Sequence, residues 1–147
     1  MNAKILFFVF LSIYSGLSYS QENPVRWTAT QDKEGKSDVI KVTAEMDKDW
    51  HIYSMHLTEE FGPIPTSITF SESDNVEFVG KIEEGKPKRE KDVNFDMVID
   101  YFDGTADFVQ KVKVKNEDTV KVSVYYMCCN DQKCLPPKEE IIEVKLK

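Results

Sequence analysis

Chemistry in this chain concentrates between Tyr125 and Pro137, which reads Tyr-Tyr-Met-Cys-Cys-Asn-Asp-Gln-Lys-Cys-Leu-Pro-Pro and holds all three cysteines, Cys128, Cys129 and Cys134. Two thiols a short loop apart can form a bridge, and thiols of this kind serve three chemistries: a structural staple, exchange with other thiols, or binding of a soft metal. Val120, Val122, Val124 and Tyr126 alternate with Thr119, Lys121, Ser123 and Tyr125, the period of a strand with one buried face. Continued, that parity turns Cys128 to the apolar side and Cys129 to the other. The bridge expected from spacing is Cys128–Cys134, because five residues separate them and a hairpin-like turn brings them together, whereas the adjacent cysteines diverge along a strand. So short a loop adds only about 2 kcal/mol to stability in the chain-entropy account.

The valine-rich strand, the aromatic, Cys128, five residues, Cys134, one residue and then Pro136-Pro137 resemble the amino-terminal periplasmic domain of the DsbD family of membrane thiol-disulfide reductases. The resemblance runs through the chain after its first twenty residues and is specific in the last third. It implies an immunoglobulin-like β-sandwich that exchanges disulfides with thioredoxin-like proteins. Within it, Cys134 forms the mixed disulfide and Cys128 resolves it. It also implies aromatic side chains near the pair, which map onto His51 and Tyr53 beside Tyr126, and a cap loop that lays Phe95 over the sulfurs. Asp92 and Asp96 loosely echo the acidic pair that flanks the family's cap. Cys129 is an additional thiol where related domains carry a small residue, and three roles stay open for it: inert and buried, an exchange partner, or a dimer cross-link.

The elements that position these residues are strands. The first twenty residues, with Lys4, the apolar run Ile5 to Leu11 and small residues at Ser18 and Ser20, read as a secretory signal peptide cut before Gln21. Residues 21–147 then form one domain, read as a stand-alone secreted domain in the periplasm that draws its electrons from a separate protein. Without Lys4 the domain carries 18 basic against 26 acidic residues, which argues against nucleic acid as a partner. No other apolar stretch reaches membrane-spanning length. A soluble monomer without cofactor or metal is expected.

Strands are read at Val25 to Ala29, Val39 to Met46, Trp50 to Met55, Ser67 to Phe70, Val76 to Phe78, Thr105 to Val114, Thr119 to Tyr126 and Ile142 to Leu146, with Val93 to Phe102 either the cap-bearing loop or a further strand, seven to nine in all with no helical period. Asp32 to Lys36 reads as a polar turn. Glu83 to Asp92, eight charged residues in ten, reads as a solvated face or mobile loop. In ordinary packing Tyr53, Met55 and Phe95 are core residues. Two further function classes compete with exchange: a secreted binding sandwich with a structural disulfide, and copper or zinc handling by the cysteines with His51, His56, Met46, Met55 and Met127. No helix amino terminus or basic cluster activates either thiol, so the activating work falls to the partner and the domain is read as an electron relay.

Overall fold

The computed structural model describes residues 22–58 and 61–147; the expected signal peptide lies outside them. Alternating sequence becomes alternating burial from the start. β1 (Val25–Glu34) and β2 (Ser37–Met46) form a hairpin whose ladder runs to Glu34↔Ser37, so the polar turn expected over Asp32 to Lys36 shrinks to Gly35 and Lys36. Gly35 adopts φ 63°, which the tight two-residue loop requires and a side chain would resist.

The remaining strands are β3 (His51–Tyr53), β4 (Ser67–Phe70), β5 (Val76–Glu84), β6 (Lys88–Asp92) and β7 (Met97–Asp103). They are followed by β8 (Thr105–Val114), β9 (Asp118–Tyr126), β10 (Cys128–Cys129) and β11 (Lys138–Leu146). The eleven strands among the described residues exceed the expected seven to nine because two are only two and three residues long, and because the charged run is itself paired. Residues 83 and 84 end β5, and 88–92 form the edge strand β6, whose charges face water except at Asp92. Charge on an edge strand is a recognised defence against pairing with other chains.

Three antiparallel sheets result, ordered β1-β2-β8-β5, β11-β9-β4 and β10-β3-β7-β6. The first two face one another. Ile40, Val42, Ala44 and Phe108 from one meet Val120, Val122, Val124 and Tyr126 from the other in a single apolar core. Contacts of β1 with β11, and the stacked rings of Phe70 and Phe78 at 5.1 Å, close the two sides. The third sheet covers one end, with Ile52, Phe102 and Cys128 turned into the same core. This is the immunoglobulin-like β-sandwich expected from the alternation, and among the described residues no helix is long and apolar enough to cross a membrane.

Phe108 sits at the centre of this core, fully buried between the rings of Trp27 and Phe102, each 5.8 Å away. Phe108→Ala is expected to cost about 3–5 kcal/mol in urea unfolding. Val98→Ala, on a half-exposed side chain of β7, is expected to change stability by less than about 0.5 kcal/mol.

Candidate functional site

The site is built where the chain changes sheets. β9 ends at Tyr126, Met127 makes the crossing, and Cys128–Cys129 then pairs with β3, with Cys128 opposite Ile52 and Cys129 opposite His51. Successive side chains of a strand leave on opposite faces. Cys128 therefore enters the sandwich core with Ile52 and Phe102, while Cys129 lies on the outer face of the sheet beside His51 and Tyr53.

The chain returns at once. Asn130 N–H donates to the Lys133 carbonyl at 2.9 Å, and Leu135 N–H donates to the Cys128 carbonyl at 2.9 Å. Asn130 Oδ1 accepts the N–H groups of Gln132 and Lys133, which tightens the turn. Cys129 and Cys134 thus face each other between two backbone hydrogen bonds, at the non-hydrogen-bonded position of the ladder where side chains come closest. Their Cα atoms are 4.0 Å apart and their sulfurs are bonded.

This corrects the pairing expected from spacing. The bridge is Cys129–Cys134, and Cys128 is the free cysteine. The expected parity of the two adjacent thiols is the one found; the pairing drawn from it was wrong because the returning chain reaches the outer face, where Cys129 and not Cys128 points. Cys128 is buried, and burial pushes its thiol up to about 11.

On the outer face a second apolar cluster surrounds the bridge, with Tyr53, Ile99, Met127 and Cys129 buried and Phe95, Tyr101 and Cys134 packed against them. Cys129 is fully buried, whereas Cys134 is only half-buried. Phe95 stands in the turn between β6 and β7, the loop rather than the strand of the two placements open to it, and its ring meets that of Tyr53 edge-on at 6.0 Å. Sequence reasoning therefore named one of the bonded cysteines, Cys134, and three residues that the fold gathers on the same face: His51, Tyr53 and Phe95. Tyr126 is not among them. Its ring meets that of Trp27 at a tilt, 5.2 Å between centres, and its hydroxyl donates to Glu140 on the core side with Cys128.

The residue that organises this face is Asp92, at the end of the charged run. Its carboxylate is buried and accepts four contacts: Tyr53 Oη–H at 2.9 Å and His51 Nε2 at 3.1 Å on one oxygen, and the N–H groups of Asn94 at 2.8 Å and Phe95 at 3.1 Å on the other. One charge thereby fixes the β3 wall behind the bridge and the turn that carries Phe95. Asn94 Nδ2 extends the connection to the Asn130 carbonyl in the cysteine loop at 2.8 Å. Burial pulls the Asp92 carboxyl upward, yet the Tyr53 hydroxyl, the two backbone N–H groups and His51 together hold it below the usual carboxylate range. Burial and then the Asp92 charge push the Tyr53 phenol far up. In sequence Asp92 is one of eight charges in a run, and only the resemblance, through the acidic pair beside the cap, singles it out. Asp96, its companion in the expected acidic pair, is exposed and pairs with Lys91 at 2.6 Å.

Lys133, beside Cys134 in sequence, is occupied elsewhere, with Nζ 2.6 Å from Glu22 and 6.0 Å from the centre of the Trp50 ring. Among the described residues no group of three or more His, Cys, Asp and Glu side chains could hold a metal ion. His56 is exposed beyond β3 while His51 is bound to Asp92, so the two histidines do not converge.

A β-sandwich with a short-loop disulfide set in an aromatic-lined outer face, one cysteine fully buried and one half-buried, defines a class of disulfide-bearing immunoglobulin-like domain. Residues 21–146 match the family model for the amino-terminal domain of the thiol:disulfide interchange protein DsbD, and the chain belongs to that family. Among solved structures it is similar to the reduced DsbD amino-terminal domain of Neisseria meningitidis, at 13% identity and TM-score 0.54, over 80% of this chain and 82% of that one. It is likewise similar to a structure of the complex between the DsbD and PilB amino-terminal domains of the same organism, at 11% identity and TM-score 0.58, over 84% and 87%. The amino-terminal periplasmic domain of ScsB from Proteus mirabilis shares 14% identity at TM-score 0.51, over 81% of this chain and 44% of that one. No curated protein matches the chain in sequence.

Two outcomes are expected. Near pH 8 a thiol raised to about 11 is ionised in about one molecule in a thousand, so Cys128 should resist iodoacetamide in the folded protein and react on unfolding, with peptide mapping placing the bridge at Cys129–Cys134. Because the folded Asp92 carboxyl is held low, its stabilising contribution is complete above the ordinary carboxylate range and is lost as pH falls through the folded value. Asp92→Asn should therefore lower stability at neutral pH by about 1–3 kcal/mol and flatten the acid limb of the urea-midpoint profile.

Proposed function

We propose that this domain is a periplasmic electron relay that passes reducing equivalents between thioredoxin-like proteins through the Cys129–Cys134 pair. The observation that carries the proposal is the unequal exposure of the two sulfurs in a member of the DsbD amino-terminal family: Cys134 is half-buried and Cys129 fully buried. A thiolate of the reduced partner attacks Cys134 Sγ, the disulfide breaks, and its electron pair leaves on Cys129. The partner's second thiol then attacks its own sulfur in the mixed disulfide and releases reduced Cys134. Donation to the next partner runs the same steps in reverse, with Cys129 as the resolving thiol. Phe95 caps the bridge, with Tyr53 and His51 as its wall, and water-borne thiols meet a covered sulfur. The related complex of the DsbD and PilB amino-terminal domains supports a protein partner.

The test is trapping. Cys129→Ser leaves Cys134 with no resolving thiol and is expected to accumulate a mixed disulfide with a thioredoxin-like domain, whereas Cys134→Ser is expected to trap little. A wild-type reduction potential between about −270 and −180 mV accords with the relay. A potential below about −300 mV with no trapped complex assigns the bridge to structure instead.

A further inference from the structure

Exchange at Cys134 leaves a negative charge on Cys129, and Cys129 is fully buried among Tyr53, Ile99 and Met127. A thiolate in such surroundings is disfavoured unless a proton reaches it. Burial is likewise the largest cause that raises the neighbouring Cys128 thiol. The buried leaving group therefore needs a proton carrier on its own face of the sheet.

Tyr53 is a poor candidate, because its hydroxyl is committed to Asp92 and its phenol is pushed far up. His51 is the direct cross-strand partner of Cys129, and opposed residues in an antiparallel ladder place their side chains side by side on one face. Its Nε2 lies 3.1 Å from Asp92, and that carboxylate favours the tautomer with the proton there. Among the described residues Nδ1 has no protein partner, and the ring borders a cleft of about 280 Å³ shared with Trp50 and Tyr101. An imidazole held at one nitrogen, bordering a cleft and opposite a buried cysteine across the ladder is placed to carry protons between the two.

We propose that His51, positioned by Asp92, exchanges a proton with Cys129 during opening and closing of the Cys129–Cys134 bridge. In opening, the incoming thiolate bonds to Cys134 Sγ and the S–S bond breaks. The electron pair goes to Cys129 Sγ, His51 delivers a proton to it, and the imidazole is reprotonated from the cleft. In closing, neutral His51 takes the Cys129 proton as that sulfur attacks Cys134 and expels the partner's thiolate. The titratable groups that face His51 are Asp92 from β6, Asp103 and Tyr101 from β7, Tyr53 from its own strand, Asp131 from the cysteine loop and Asp49 from the turn before β3. Asp103 is paired with Lys88 at 2.6 Å, which leaves Asp92 as the carboxylate bound to the ring.

This inference rests on the exchange reading, and small-thiol kinetics separate the two. The bridge is opened with dithiothreitol across the acid-to-neutral range, and each rate is divided by the thiolate fraction of the reagent. Wild type should show an inflection in this corrected profile. His51→Gln, which keeps a hydrogen bond to Asp92 but cannot titrate, should lose it and react on the order of tenfold to a hundredfold more slowly. His51→Ala covers the case in which His51→Gln folds poorly, and added imidazole should restore part of its rate. Identical corrected profiles for wild type and the folded variants overturn the role of His51 and leave the relay standing. A wild-type bridge that dithiothreitol leaves intact overturns both. A normal His51 signature without partner trapping overturns the relay and keeps this proposal.

Discussion

The two-residue pairing of Cys128–Cys129 with His51–Ile52 is the constraint on which the rest depends. A strand sends neighbouring side chains to opposite faces, so this short ladder divides two adjacent cysteines between two environments. One thiol becomes part of the sandwich core and the other becomes half of a disulfide. A register slip of a single residue would exchange them, placing the core thiol on the outer face and the bridging one against Phe102. The ladder is short, but Ile52 and Cys128 are buried in the main core, which resists such a slip.

Asp92 imposes the second constraint. Burying a carboxylate costs free energy unless every lone pair finds a donor, and here four donors converge on it from two segments. The charge is affordable only while β3 and the turn carrying Phe95 keep their relative positions. An apolar residue at this position would remove the burial cost and with it the reason for the turn to adopt one arrangement. Polarity in this place specifies geometry more than it adds stability.

Much of the sandwich was legible because alternation is a local property. Ile40, Val42, Ala44 and Met46 face the core as their spacing implies, and β4 and β8 match their expected spans. The charged run was harder to read, since an edge strand of lysines, arginine and glutamates has no hydrophobic period to reveal it. The disulfide was misread for a different reason: separation along the chain says how far two thiols can reach, not which face the returning segment meets. Asp92 was obscure because its distinction is its surroundings, and those come from His51 and Tyr53, about forty residues earlier.

The hairpin that carries Cys129 and Cys134 is held by its own backbone bonds, at Asn130 to Lys133 and Leu135 to Cys128, and by the Asn130 side chain. None of these passes through sulfur. Severing the disulfide frees only a six-residue ring, worth about 2 kcal/mol of chain entropy, and leaves the scaffold that holds the two thiols opposed. The backbone of the hairpin therefore does not depend on the bridge it carries. A disulfide on such a hairpin sits on a rigid mount: the local surroundings of the sulfurs, more than the sandwich beneath, decide how readily the bond breaks.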